Sequence, residues 1–351
     1  MTLEDRKRAF VRLGEFLSQF REHGSAAKTS VLLNDTFFQS FTDLIELSRS
    51  HNGWYTPEHV HFAINSWAEA LTEKNLNQWL SAYDLSEINP KTVALILAGN
   101  IPLVGFHDFL SVVISGHRTL VKTSSNDQHL LPFLANYLIA VEPRLEDQIT
   151  FTKGQLTEFD AVIATGSNNT SRYFEYYFRD KPSIIRKNRN SVAVLTGDET
   201  NDQLVALGED IFRYFGLGCR NVSKLFVPRS YNFDLLFNAL YEFRDVLKYE
   251  KYTNNYDYNK AVFLMSNYKL LDNGFITLKE DSSYASPISS IFYEYYDDLP
   301  TVISTLEKDS DKIQCVVSTK IPGAIEFGKT QKPQLWDYAD NVDTLAFLAA
   351  L

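Results

Sequence analysis

Residues 92–125 read TVALILAGNIPLVGFHDFLSVVISGHRTLVKTSS. The run 92–98 is continuously apolar, the pattern of a strand buried on both faces. Gly99, Asn100 and Pro102 end it, 104–114 predicts an apolar helix, and 119–123 predicts a second strand. The alternation continues outward. A helix is expected over 127–140, carrying Leu130, Leu131, Leu134 and Leu138, then strands over 148–152 and 160–165. Gly166 and Ser167 open a helix over 169–178, and 191–195 is one more strand. Alternation of this kind predicts an α/β chain with a doubly wound parallel sheet, whose ligands bind beyond the carboxyl ends of the strands. Asn100, Lys122 and the pair Gly166-Ser167 fall at such ends. Each also has a plain structural reading: an Asx turn before Pro102, a solvated lysine, and a helix cap.

The whole chain sets bounds. Its 351 residues suffice for a large core and predict two domains, 1–188 and 189–328, with a tail over 329–351 that returns to the first domain or meets a neighbouring subunit. Hydrophobic residues make up 44% and charged residues 22%, as in soluble globular proteins. A net charge of -10 argues against nucleic acid as a partner. No apolar run approaches the ~20 residues of a membrane span, and the start, MTLEDRKRAF, has no apolar signal core. Two widely separated cysteines argue against a disulfide framework and for a reducing cytoplasm.

Residues 1 to about 85 read as helices, with apolar faces at Phe10, Leu13, Phe16 and Leu17 and at Phe41, Leu44, Ile45 and Leu47. His59 and His61 have no clear third ligand, so they read as surface residues and no metal is expected. Beyond residue 230, Phe233 to Phe243 read as one helix, while 261–265, 288–293 and 313–318 read as strands of a second sheet. Cys315 alternates with Ile313 and Val317 and reads as core.

Between the two sheets, residues 200–228 hold Cys219. Thr200 with Gln203 forms a capping-box pattern, and Leu204, Leu207, Ile211 and Phe215 recur at helical spacing. Gly216 and Gly218 are expected to stop that helix, and a strand follows from Val222. Cys219 therefore sits on a turn, either as a small buried apolar residue or as a nucleophile. Arg220 and Lys224 would favour its thiolate if they lay close to it.

Taken in order, these segments resemble the aldehyde dehydrogenase superfamily, and within it the acyl-CoA reductases of the bioluminescence fatty-acid reductase type. Residues 99–103 (GNIPL) resemble W-N-[FY]-P-[LW], and 120–125 (LVKTSS) resemble V-x-K-P-[SA]-E. Residues 165–167 (TGS) resemble F-T-G-S, and 215–219 (FGLGC) resemble N-x-G-Q-x-C. The resemblance implies a Rossmann-like cofactor domain beside an α/β catalytic domain. It implies that Cys219 is the nucleophile and that Asn100 and the Cys219 N–H stabilise an oxyanion. Lys122, Ser124 and Ser125 would meet the adenosine ribose, and Gly166 and Ser167 the pyrophosphate.

Three departures refine it. Arg186 stands where oxidising members carry the glutamate that activates water, which is consistent with reduction of an acyl donor. Ser125 replaces an acid that would repel a ribose 2′-phosphate ~4 Å away by ~1 kcal/mol or more, which permits NADPH. His117, Arg118 or Arg172 could supply a positive partner. The segment 283–287 (SYASP) lacks the acid that begins E-x-F-G-P. The expected function is NADPH-dependent reduction of a fatty acyl-CoA or other acyl thioester to the aldehyde. The alternatives are aldehyde oxidation with Glu209 or Glu158 as base, or a non-catalytic subunit of a lipid-modifying assembly; a homo-oligomer is compatible with any of them.

Overall fold

The computed structural model describes residues 1–21, 24–86 and 88–351, and the chain divides into two units, 1–187 with 334–351, and 188–333. The first unit opens with α1 (Leu3–Leu17), started by a Thr2–Asp5 capping box, then α2 (Asn34–His51), α3 (Pro57–Ala70) and α4 (Glu73–Leu80). Phe10, Leu13, Phe16 and Leu17 are buried, and the Phe16 ring stacks on Tyr137 at 4.2 Å. Leu47, expected inside, is exposed on α2. His59 and His61, expected on the surface, are buried on α3, which packs against both α1 and α2 and so has more than one face covered.

β1 (Thr92–Ile96), α5 (Phe106–Ser115), β2 (Arg118–Lys122), α6 (Leu130–Val141), β3 (Ile149–Phe151), β4 (Ala161–Thr165), α7 (Asn168–Tyr177) and β5 (Ser183–Arg186) follow. Their strands form one parallel sheet in the order β3-β2-β1-β4-β5. Successive crossovers run from β1 toward β3 on one side and from β4 toward β5 on the other. The order therefore reverses between β1 and β4, where a crevice for a ligand is expected. Strand β5 was not expected; it is a four-residue edge strand with only two apolar residues. The chain end closes this unit: Trp79 Nε1 donates to the Tyr338 hydroxyl at 2.7 Å, and Tyr83 donates to Asp343 at 2.7 Å.

The second unit contains β6 (Asn190–Val194), α8 (Asn201–Phe212), β7 (Val222–Pro228), α9 (Phe233–Leu240), α10 (Glu250–Met265), β8 (Leu270–Asp272), β9 (Thr277–Glu280), β10 (Ser290–Tyr296), α11 (Leu299–Lys308) and β11 (Ile313–Val317). The sheet order is β11-β6-β7-β10-β9-β8, with only β8 antiparallel to its neighbour. Residues 261–265 are not a strand but the last turn of α10, whose buried face is Tyr252, Tyr256 and Phe263. The helix expected over 233–243 stops at Leu240 and tightens into a 3-10 helix (Tyr241–Lys248). Cys315 is buried on β11, and Ile325 bridges to Val317 on the same unit.

Candidate active site

The loop that carries Cys219 is built from strain held in place by hydrogen bonds. The capping box on Thr200 and Gln203 starts α8. The helix ends at Phe212, four residues before Gly216, because Tyr214 (φ 55°) and Phe215 (φ 56°) adopt left-handed backbone. That conformation costs a non-glycine residue roughly 1–2 kcal/mol. Burial of both side chains offsets it, with the Phe215 ring 4.9 Å from Tyr249 and 6.0 Å from Tyr252. Asn221, buried just beyond the cysteine, donates through Nδ2 to the carbonyls of Asp210 (3.0 Å) and Arg213 (2.8 Å). Its Oδ1 accepts the Gly218 N–H at 2.8 Å. Ser191 Oγ on β6 donates to the Cys219 carbonyl at 2.9 Å. Asp210 anchors α8 by accepting from the Gly328 N–H (2.7 Å), the Thr330 N–H (3.0 Å) and the Thr330 hydroxyl (2.8 Å). Burial raises its carboxyl to about 6 against these bonds. The result is an exposed Cys219 on a fixed turn at the amino end of β7.

The two cations expected to serve that thiol have other partners. The Arg220 guanidinium donates to Cys315 Sγ at 3.3 Å. Lys224 is 1% exposed, and its ammonium reaches the Ser282 carbonyl (2.8 Å) and Glu294 (2.7 Å). In the segment 283–287, the Tyr284 hydroxyl donates to Asp309 at 2.8 Å and its carbonyl accepts from Ser223 Oγ at 2.7 Å.

The remaining site residues all stand on the first unit, at the carboxyl edge of its sheet. Asn100 is exposed on the loop after β1. Lys122 ends β2 and donates to the Gly154 carbonyl at 3.0 Å. Ser124 Oγ accepts the Asn126 N–H at 3.2 Å, and Ser125 is exposed. Gly99 is required here, since a Cβ would lie 2.7 Å from that of Ser124. Gly166 follows β4, and Ser167 caps α7, accepting the Thr170 N–H at 3.3 Å. His117 and Arg118 lie at the opposite, amino end of β2. His117 is buried, accepts the Lys91 N–H at Nδ1 (3.1 Å) and therefore donates from Nε2 to the Leu348 carbonyl (2.9 Å). A cation that sequence reading passed over stands at the correct end, Lys153 beyond β3; His129 lies at that end too, its ring tilted against His51 with centroids 4.1 Å apart, and burial with the neighbouring His51 and Lys153 lowers its pKa below the ordinary histidine value. Arg172 is exposed on α7.

Arg186 is no water-activating group. It is 4% exposed and forms a two-pronged ion pair with Asp108, at 2.7 and 3.2 Å, while also donating to the Ala339 carbonyl (2.7 Å) and the Thr344 hydroxyl (2.9 Å). Neither alternative base is well placed. Glu209 is paired with Arg213 at 2.6 Å, and Glu158 precedes β4, at the amino edge of its sheet. Among the described residues, no three His, Cys, Asp or Glu side chains could hold a metal ion, and no helix is long and apolar enough to cross a membrane.

Sequence reading missed Ser191, Asp210 and Asn221. The one available signal was Asn221 itself, an asparagine two places after the cysteine and just ahead of a strand.

The family model of acyl-CoA reductase (LuxC) matches residues 69–246. A long-chain acyl-protein thioester reductase of Aliivibrio fischeri is 25% identical over 233 residues, 59% of this chain and 47% of that protein. The chain thus spans about half the length of the curated relative it matches. Among solved structures, aldehyde dehydrogenase 21 of Physcomitrella patens, complexed with succinate, superposes with a TM-score of 0.67 at 12% identity, covering 100% of this chain and 84% of that one. The NAD+ complex of an aldehyde dehydrogenase from Bacillus cereus gives 0.62 at 13% identity, covering 90% and 72%. The fold is that of the aldehyde dehydrogenases.

Proposed function

The chain belongs to the acyl-CoA reductase (LuxC) family, and from that membership we propose that it reduces a fatty acyl thioester to the aldehyde with NADPH, through a thioester on Cys219. The observation that carries the reading is the exposed Cys219 on a turn clamped by Asn221 and Ser191. Arg186 supports it, because an ion-paired guanidinium cannot activate water to hydrolyse an acyl-enzyme. The donor is an acyl-CoA or, as in the name of the Aliivibrio fischeri relative, an acyl-protein.

The residues at the carboxyl edge of the first sheet fit a nicotinamide dinucleotide. Lys122 has one N–H committed to Gly154, which leaves donors for ribose hydroxyls. Ser125 puts no carboxylate there, and Lys153 offers positive charge to a 2′-phosphate. Gly166 and Ser167, at the start of α7, would meet the pyrophosphate. When bound, the reduced cofactor supplies the hydride.

Cys219 attacks the acyl carbonyl, forming a C–S bond as the donor thiol leaves. The Cys219 N–H stabilises the oxyanion, where one lost donor costs ~3 kcal/mol of barrier. After reduction the thiohemiacetal on Cys219 collapses, releasing the aldehyde and restoring the thiol. The test is to mix the purified chain with a long-chain acyl-CoA and NADPH. Oxidation of NADPH matched by release of CoA thiol and aldehyde is expected; aldehyde oxidation without either would overturn the reading.

A further inference from the structure

Helix α7, on the first unit, is aromatic on two opposite faces. Phe174 and the cap residue Phe178 pack inward on Ala94, Phe159, Val162 and Ala164. Outward, Tyr173, Tyr176 and Tyr177 are 65%, 66% and 71% exposed. Spaced three and four apart, they form one stripe along the helix. A helix that is apolar all round is one that is covered all round, and a contiguous exposed aromatic patch marks an interaction surface. The charges about the stripe are ordered. Arg172 stands exposed at its amino end. At its carboxyl end the Arg179 guanidinium lies 5.4 Å over the Tyr176 ring. Asp180, whose side chain is 87% exposed, sits beside Arg179 at 3.5 Å. Glu175 is committed to Lys187 at 2.6 Å.

We propose that this face of α7 binds a second copy of this chain, the two helices lying antiparallel about a two-fold axis. A two-fold interface has to be complementary to itself. Antiparallel helices meet that demand: Arg172 faces the partner's Asp180 at both ends of the contact, and the two Tyr176 rings meet at the axis. Parallel helices would set Arg172 against its own copy and leave Asp180 facing a carboxylate. Charge order therefore selects both the occupant and its direction. Tyrosine and arginine are also the residues concentrated at the centre of protein interfaces. Six tyrosines hiding about 150 Å² each supply about 900 Å² of the roughly 1,200–2,000 Å² that a stable interface buries, with the flanking charged side chains forming its rim.

The test is sedimentation equilibrium of the full chain over a range of micromolar concentrations, which reads assembly independently of any reductase activity. The wild type should sediment as a dimer. Tyr176→Glu, which buries a carboxylate at the axis, should raise the dimer Kd about 100-fold. Arg172→Glu and Asp180→Arg each set like charges together across the interface, and each should raise Kd at least about tenfold. The double variant Arg172→Glu with Asp180→Arg restores opposite charges and should return Kd to within a few-fold of the wild type. That recovery is a signature a misfolded variant cannot give. A wild type that stays monomeric overturns the proposal. A Tyr176→Glu variant that dimerises as tightly as the wild type also overturns it, by placing the contact elsewhere. Charge reversals that weaken the dimer but do not compensate each other overturn the antiparallel two-fold.

Discussion

Asn221 Oδ1 accepts the N–H of Gly218 at 2.8 Å, so the residue two places after Cys219 holds the residue one place before it. The same carboxamide ties both to the end of α8 through the carbonyls of Asp210 and Arg213. The turn of the proposed nucleophile is thereby closed on itself, across two residues in left-handed backbone.

Replacing Asn221 by alanine should therefore act on rate more than on substrate binding. We expect Cys219 acylation to slow by about 10–100-fold, since a small misplacement of a reacting group has that effect. The lost bonds should cost about 1–3 kcal/mol of stability, read from urea unfolding. Unchanged acylation would mean that the turn needs no clamp.

Arg186→Glu puts back the residue type of the oxidising enzymes. It should not create an oxidase. With Asp108 6% exposed, it places two carboxylates together and should destabilise the first unit by about 3–5 kcal/mol. Thermal unfolding and an aldehyde oxidation assay check the two halves.

How much of this the sequence disclosed depends on the range of the interaction. The parallel sheet was legible because apolar runs such as 93–95 and 161–164 declare strands locally. The run 261–265 did not, since five apolar residues suit a strand or a helix end equally, and only packing of Tyr252, Tyr256 and Phe263 decides it. The positions of Asn100 and Lys122 at strand ends and of Cys219 on a turn could be read. Their supports could not: Ser191 meets Cys219 across 28 residues, Arg186 meets Asp108 across 78, and Asp210 meets Thr330 across 120. Nor could the partners of Arg220 and Lys224, which lie on other strands.

Asp210 gives a pH signature. Its carboxyl titrates at about 6 in the fold against an ordinary 3.8, so the fold prefers the neutral acid. Its contribution is full below 3.8 and is lost as pH rises through about 6, by up to about 3 kcal/mol. Asp210→Asn should remove that slope. Urea midpoints of the two proteins compared between about pH 4 and pH 7 decide it, and parallel curves would contradict the assignment.

Cofactor choice should follow Ser125. Ser125→Glu is expected to lower kcat/KM with NADPH about tenfold while sparing NADH. An unchanged ratio would move the 2′-phosphate elsewhere.

The central claim is a covalent bond to one sulfur, and intact-mass spectrometry after mixing with a long-chain acyl-CoA, without reductant, tests it most directly. A mass increase of one acyl group, mapped to Cys219, absent in Cys219→Ala and discharged by NADPH with release of aldehyde, is the predicted result. An acyl group found on Cys315, or full reductase activity in Cys219→Ala, would contradict it.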